Sequence, residues 1–489
     1  MKGRVHIVGA GIGSPKFLTI AAKEALDAAD VIIYDRLLHP EILSPYEDTE
    51  KELVYVGKKA ADHTLTQDEI NALMIARAKD GANVVRLKGG DPYVFGRGGE
   101  EAEYCLAHDV AFDVIPGVTS GVVSTMFAGI PVTHRDASTS VSFITGHRKA
   151  GYAGDFHEYA RLSGTLVFYM GLNNLGLITK DLLEGGMDPK TPAAVIMHGG
   201  YPDQRVFSST VGEIASAIEG KGFGSPSLIV IGDAVRYRES LNFYESLPLF
   251  GKKVLITRAK SQSPQLSAAL TDLGAEVISA PTIAISYMNE DFLKEALQDS
   301  YTHILFHSVH AVEAFFRAFF PEHDLRELAG TKLCVVGKKT AKLLREQGLH
   351  PDLMPEVYEG DALAQLIAKE EGEKHLLLPH SAKTPASLLA SYREIGTLRD
   401  VVVYDALRPE EKTDIPSEVD YALFTSSSTV THFHELYDLK SLGDAKIVSI
   451  GRQTTRTLEA LGHGPDLISK EATIESMIDA IKEDAHAHA

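Results

Sequence analysis

The sequence is poor in cysteine: 489 residues hold two, Cys105 and Cys334, far apart and outside any CxxC pattern. That excludes a disulfide scaffold and a structural zinc site, so no metal is expected, and it fits a reducing compartment. It also lacks any apolar run of the ~18 residues a membrane span requires. The run Val5–Val8 near the start is too short for a signal peptide and reads as a buried strand before a turn. A cytoplasmic protein with no membrane partner is expected. Positive charge is scarce too. Lys and Arg total 48 against 67 Asp and Glu, a net charge of −19. Such a surplus repels polyanions, so nucleic acid is not an expected partner. An anionic substrate would need a local basic cluster.

What is present is ordinary globular material, 44% hydrophobic and 24% charged, which excludes disorder and collagen-like fibres. Cores stop growing near ~250–300 residues, so more than one domain is expected. Short β-branched runs alternate with helical stretches. They include Val5–Val8, Val31–Tyr34, Val84–Leu87, Leu166–Tyr169, Leu228–Ile231, Val254–Ile256, Ile304–Phe306, Leu333–Val336, Leu376–Leu378, Val401–Tyr404 and Ile447–Ile450. Continuous apolar runs of this kind predict strands buried on both faces by helices, an α/β class. Pro248 and Gly251 punctuate a boundary between two nearly equal halves.

The second half contains a repeat. The segment Gly337–Leu353, with Thr340 and Pro351-Asp352, aligns with Gly451–Leu467, with Thr454 and Pro465-Asp466. Each copy follows an apolar strand, and each has an upstream Phe-x-Ser, at Phe306–Ser308 and Phe424–Ser426. Two copies at this spacing predict two similar lobes with a ligand between them, not a solenoid. Gly then Thr after a strand fits a helix N-terminus that could receive an anion. Helix capping with strand–helix packing explains the same residues.

The first half opens on Gly9-Ala10-Gly11-Ile12-Gly13-Ser14, with Asp35 after the next strand. This resembles a dinucleotide fingerprint, but the third glycine is replaced by Ser14, and a tight packing turn fits equally. More informative is Arg86–Glu101, with five glycines between Gly89 and Gly99. Such density predicts backbone that closely approaches a ligand. Asp91 can accept hydrogen bonds from an amino group or ribose hydroxyls. A second glycine turn is Pro116–Ser120, followed by Gly129–Arg135 and Thr145–Arg148. Arg36, Lys58, Arg86, Lys88, Arg97 and Arg135 then form the expected basic cluster.

On these residues the first half resembles the uroporphyrinogen-III C-methyltransferases. The matching segments run in order over about residues 3–245: Val8–Thr19, Tyr34–Leu37, Val56–Lys58, Arg86–Glu101, Val114–Ser120, Ala128–Arg135, Thr145–His147, Thr165–Gly171 and Pro192–Ile196. The second half, about 251–489, resembles uroporphyrinogen-III synthase through Thr257-Arg258, the repeated Gly-x-x-Thr and Tyr404. The resemblance implies a two-lobed tetrapyrrole methylase fold over 1–246, then a two-lobed α/β synthase fold over 251–489. In the synthase, one lobe would be assembled from both ends, with the Val254 strand joining the lobe that holds Gly451.

The implied activity is closure of hydroxymethylbilane to uroporphyrinogen III with inversion of ring D. Two methylations of that polycarboxylate to precorrin-2 would follow, on the way to siroheme or cobalamin. S-adenosylmethionine would be the donor, held by Gly89, Gly90, Asp91, Val94, Thr119, Ser120, Met170 and Gly199. Asp35 and Lys58 match acid/base positions, and Arg36, Arg97, Glu100 and Arg135 would hold or polarise the tetrapyrrole. Tyr404 is the candidate acid of the cyclisation, with Thr340, Ser426, Thr454 and Thr455 donating to substrate carboxylates. The resemblance also implies a homodimer through the methyltransferase half. Two departures stand out. The family's Gly-Pro-Gly-Asp is Gly11-Ile12-Gly13-Ser14, and its Ser-x-Asn-Ala is Ser308-Val309-His310-Ala311. Rival readings are an NAD(P)-dependent oxidoreductase on the first glycine loop, a siroheme synthase, and a methyltransferase with a non-catalytic binding module. The His486 and His488 tail carries no metal assignment.

Overall fold

The computed structural model describes residues 3–35, 38–47, 49–57, 65–147, 155–259, 263–357, 359–409 and 412–487. The chain forms two units, one built on Met1–Lys252 and the other on the bulk of Lys253–Asp484. Each contains two five-stranded sheets.

In the first unit, β1 (Arg4–Gly9), β2 (Val31–Tyr34), β3 (Glu52–Tyr55), β4 (Asn83–Lys88) and β5 (Ala111–Ile115) form an all-parallel sheet in the order β3-β2-β4-β1-β5. Both faces are buried, as the apolar runs predict. Ile7, Ile33 and Val84 pack under the helices Gln67–Lys79 and Gly98–Ala107, while Val8, Ile32 and Val85 pack under Ile20–Ala28. Thr66 opens Gln67–Lys79 with a capping box to Glu69, which satisfies two end groups reciprocally.

The second sheet departs from the parallel pattern. It comprises β6 (Val141–Thr145), β7 (Thr165–Tyr169), β8 (Pro192–Met197), β9 (Arg205–Thr210) and β10 (Ser227–Ile231), in the order β6-β7-β10-β8-β9. Here β10 runs antiparallel between β7 and β8, and β8–β9 is a hairpin. The short β8–β9 connection forces that pair to be antiparallel, because a parallel pair needs a long crossover.

The second unit contains β11 (Lys253–Ile256), β12 (Glu276–Ser279), β13 (Ala284–Tyr287), β14 (His303–Phe306), β15 (Lys332–Val335), β16 (His375–Ser381), β17 (Thr397–Leu407), β18 (Tyr421–Phe424), β19 (Lys446–Ser449) and β20 (Leu467–Ile468). The sheets run β12-β11-β18-β19-β20 and β13-β17-β16-β14-β15. The β11 strand therefore joins the lobe holding Gly451, as the resemblance implies, and the middle segment makes the other lobe.

The repeat is the same device built twice. After β15 and β19 come the helices Lys338–Glu346 and Arg452–Ala460. Each returning aspartate then clips the start of the strand it followed. Asp352 accepts from the Leu333 N–H, and Asp466 from the Ile447 N–H, both at 2.7 Å. The upstream serines are N-caps: Ser308 accepts from Ala311 N–H and Ser426 from Thr429 N–H.

Cys105 and Cys334 are free and buried, and burial pushes their thiols up to about 11 and about 12. Neither is a reactive thiolate. Among the described residues no helix is long and apolar enough to cross a membrane.

Candidate functional site

In the first unit the parallel strands all deliver their loops to one edge, the carboxyl edge where α/β sheets bind ligands. Three glycine turns meet there. Gly11 and Gly90 exchange backbone hydrogen bonds at 3.1 and 2.8 Å. A Cβ on Gly117 would lie 2.2 Å from the Gly90 carbonyl oxygen, so glycine is required for this approach. Gly90 itself has φ +69°, and a Cβ there would meet nothing nearer than Ser120 N at 3.9 Å. Its free side faces the start of the helix Ser120–Phe127. Asp91 ties the turns together, accepting from Tyr93 N–H at 2.9 Å and Gly117 N–H at 3.2 Å.

The second sheet brings a matching edge. Its parallel strands β6, β7 and β8 end on Gly146, Met170 and His198-Gly199. The Tyr169 hydroxyl accepts from Gly121 N–H at 2.7 Å and shares a hydrogen bond with Thr119 Oγ1 at 2.8 Å. Burial pushes this phenol up, so it keeps its proton. The Phe95 ring lies 4.9 Å from the Tyr169 ring. Gly199 approaches Ser124 so closely that a Cβ would lie 2.3 Å from the serine Cβ. Seven non-glycine residues have positive φ among those described, and the bulky ones are Phe95, Arg97, Met170 and His198. All four sit in these turns. Strained backbone of this kind gathers where a ligand is clamped. Met170 is 55% exposed although it is apolar.

The structure therefore brings Gly89, Gly90, Asp91, Val94, Thr119, Ser120, Met170 and Gly199 to facing edges of two sheets in one unit. It corrects the basic cluster. Arg86 and Lys88 are 4% and 5% exposed, because β4 is the central strand of a sheet covered on both faces. They are not open to a polyanion. Both bind Glu101 Oε1, at 3.1 and 2.8 Å, and Glu101 is fully buried. Arg86 also reaches Asp35 at 3.5 Å. Burial lowers the Lys88 ammonium, followed in weight by repulsion from Arg86. Among the described residues Glu101 Oε2 has no hydrogen-bond partner.

Arg97 and Glu100 are exposed and bound to each other in a fork, at 3.0 and 2.5 Å. Arg135 is exposed near the turn His134–Ser138. Arg36 and Lys58 lie outside the described residues. The dinucleotide alternative fails on geometry. That motif needs a helix beginning within the glycine loop, whereas here Ser14 caps a single turn and the helix starts only at Ile20. Gly13 instead faces the Gly200 carbonyl oxygen, which a Cβ would approach to 2.7 Å.

Two residues escaped sequence reasoning. Tyr169 looked like the end of an apolar strand. Glu101 looked like one of several acids in an exposed turn. Its signal was indirect: two cations on a buried strand require a buried counter-charge within reach.

In the second unit Tyr404 is half-buried on β17, opposite Tyr287 of β13. Thr340, Thr454 and Thr455 are 5%, 3% and 9% exposed in the first turns of their helices. Thr455 is bonded to Ser449 at 2.8 Å, and Ser426 is engaged as an N-cap. Thr340 and Thr454 are thus buried, and the Thr455 and Ser426 hydroxyls are already bonded within the fold. This corrects their expected role as open donors to substrate carboxylates.

Comparison with known proteins follows the same division. Residues 4–215 match the family Tetrapyrrole (Corrin/Porphyrin) Methylases, and residues 264–479 match Uroporphyrinogen-III synthase HemD. The chain is 36% identical to "Porphyrin biosynthesis protein HemD" of Ruminiclostridium josui, over 98% of each chain. Its first half is 48% identical to a uroporphyrinogen-III C-methyltransferase of Bacillus subtilis, covering 50% of this chain and 95% of that one. It is 45% identical to an S-adenosyl-L-methionine-dependent uroporphyrinogen III methyltransferase of Methanosarcina barkeri, covering 49% and 94%. With both halves matched and a relative similar from end to end, the chain belongs to the tetrapyrrole biosynthesis family that joins a tetrapyrrole methylase to a uroporphyrinogen-III synthase.

Proposed function

We propose that this chain makes and then consumes one tetrapyrrole. The second part, 251–489, closes hydroxymethylbilane to uroporphyrinogen III with inversion of ring D. The first part, 1–246, methylates uroporphyrinogen III on two rings in turn to precorrin-2, as a homodimer. S-adenosylmethionine is the donor, consistent with the Methanosarcina relative's dependence on it.

One observation carries the methylase reading. Two sheet edges are tied by Tyr169 across Thr119 and Gly121, and they leave an open glycine face at Gly90 beside an exposed Met170. The residues fit the donor. The Gly90 face admits an adenosine or a methionine chain where a Cβ would intrude. The Ser120–Phe127 N-terminus suits a carboxylate. Asp91 keeps lone pairs beyond its two backbone contacts. When bound, the donor supplies an electrophilic methyl on a sulfonium sulfur. As that methyl bonds to the pyrrole carbon and its bond to sulfur breaks, the chain must remove a proton. Asp35 takes it. Arg86, fixed by Glu101, orients that carboxylate. Arg135 receives a substrate carboxylate, and Arg97 does so by exchanging Glu100 for it. Lys58 and Arg36 complete the acid/base and carboxylate contacts. In the second part, Tyr404 protonates the departing hydroxyl.

The test is methyl transfer from labelled S-adenosylmethionine to supplied uroporphyrinogen III by the full chain. Two methyls per macrocycle are expected. Asp35→Asn should slow transfer about 10²-fold or more while donor affinity stays within about twofold. Absence of transfer by the wild-type chain overturns the reading.

A further inference from the structure

The departure at Ser308–Ala311 places a histidine beside Tyr404. His310 stands where the resemblance expects asparagine, in the first turn of the helix Val309–Phe319. It is 5% exposed. Its Nδ1 lies 2.9 Å from Glu313 Oε2, and the Tyr287 hydroxyl donates to the same carboxylate oxygen. A carboxylate engaged in this way only accepts, so Nδ1 carries the proton and Nε2 is the basic nitrogen. The pairing with His310 holds the Glu313 carboxyl below the usual range. The imidazole lies 5.3 Å from the Tyr404 ring, centroid to centroid, with the planes tilted by 58°. Tyr287 and Tyr404 are cross-strand partners. One helix turn and two strands thus converge on Tyr404. The helix's own ends need none of this, since Ser308 already caps it.

We propose that His310, held by Glu313, is a positioning residue for Tyr404 in closure of the bilane, fixing the orientation of the phenol ring through their ring contact. The proposal rests on the cyclisation reading above. In the step, the hydroxymethyl C–O bond breaks with its electron pair on oxygen. That oxygen takes the Tyr404 proton and leaves as water. The freed methylene carbon bonds to the substituted α-carbon of ring D, giving a spiro centre. The bond from that carbon to the bridge towards ring C breaks, and the bridge carbon re-bonds at the other α-carbon of ring D, which inverts the ring. The proton released on rearomatisation returns to the phenolate, so no proton is gained or lost by the enzyme. Tyr404 packs against the apolar core of its lobe and against the His310 ring, so the pair sets the direction in which the phenol presents its proton. The bare alternative is that the His310–Glu313 pair only tightens the first helical turn.

The experiment is uroporphyrinogen III formation from hydroxymethylbilane by the full chain without methyl donor. Wild type is compared with His310→Asn, Glu313→Gln and Tyr404→Phe. Glu313 is exposed, so Glu313→Gln should fold even if His310→Asn does not. We expect each of the first two to lower kcat about tenfold with KM within about twofold, a split that helix tightening alone would not produce. Unchanged kcat in Glu313→Gln, or a fall confined to KM, overturns the role of the pair, while loss of activity in Tyr404→Phe leaves the cyclisation reading standing. Full activity in Tyr404→Phe, or no closure by wild type, overturns that reading and the proposal with it.

Discussion

Glu101 is the side chain on which most charge depends. It pairs with both Arg86 and Lys88 from a site with no solvent access, and Asp35 supplies the second negative charge beside Arg86. Removing one partner of a buried ion cluster leaves unpaired charge at a cost of about 3–5 kcal/mol. Glu101→Gln should therefore destabilise the first unit by about that much in denaturant unfolding. A loss below about 1 kcal/mol would mean the cluster is wetter than its burial implies. His307 gives a second residue-level test. Burial, then repulsion from His380, depresses its imidazole to about 4, and its Nε2 meets the Tyr392 hydroxyl at 2.8 Å. A depressed histidine favours the fold while it stays neutral. Its contribution is whole above the unfolded value near 6.5 and is lost as pH falls from there towards 4. The difference corresponds to about 3 kcal/mol. Denaturant titrations of the second unit at pH 7 and pH 4 should show a clearly smaller acid loss in His307→Gln than in wild type. Equal losses would remove His307 as a cause.

At the scale of elements, the glycine turns and the strand clips answer to different tests. Tyr169→Phe removes a hydroxyl that bridges Thr119 and Gly121 across the two edges. We expect about tenfold weaker binding of S-adenosylmethionine by calorimetry, roughly the 1.4 kcal/mol of one lost bridge. Asp352→Ala and Asp466→Ala each unpair a strand N–H, and each should cost about 1–3 kcal/mol. The two sit in different sheets, so their costs should add in the double variant. Much of this level was legible in the sequence. Runs such as Leu228–Ile231 and Val254–Ile256 are apolar throughout because both faces of their strands are buried. The strand β3, Glu-Leu-Val-Tyr, and β5, Ala-Phe-Asp-Val-Ile, escaped notice because they are edge strands with one side partly open. The site was legible as segments but not as contacts. Lys88 and Arg86 meet a carboxylate 13 and 15 residues on, and only folding reveals that the meeting is internal. The repeat was visible as a pattern, yet the strand clips by Asp352 and Asp466 were not, because each joins groups 19 residues apart that only folding brings together.

Over the whole molecule, the net charge of −19 must coexist with the polycarboxylate substrate proposed above. The internal pairing of Arg86 and Lys88 removes two cations from that task. Among the described residues proposed for it, Arg97 and Arg135 remain at the surface, with Arg97 already occupied by Glu100. Substrate capture by so few exposed cations should weaken steeply with salt. Raising ionic strength should thus raise KM for uroporphyrinogen III more than KM for the donor. The central claim is that one chain performs both steps. Its most direct test is to give the full chain hydroxymethylbilane and methyl-labelled S-adenosylmethionine, and to identify the macrocycle formed. The account predicts doubly labelled precorrin-2 from wild type, uroporphyrinogen III without label from Asp35→Asn, and labelled product in Tyr404→Phe only when uroporphyrinogen III is supplied. Wild-type chain that methylates supplied uroporphyrinogen III but makes none from hydroxymethylbilane would contradict it.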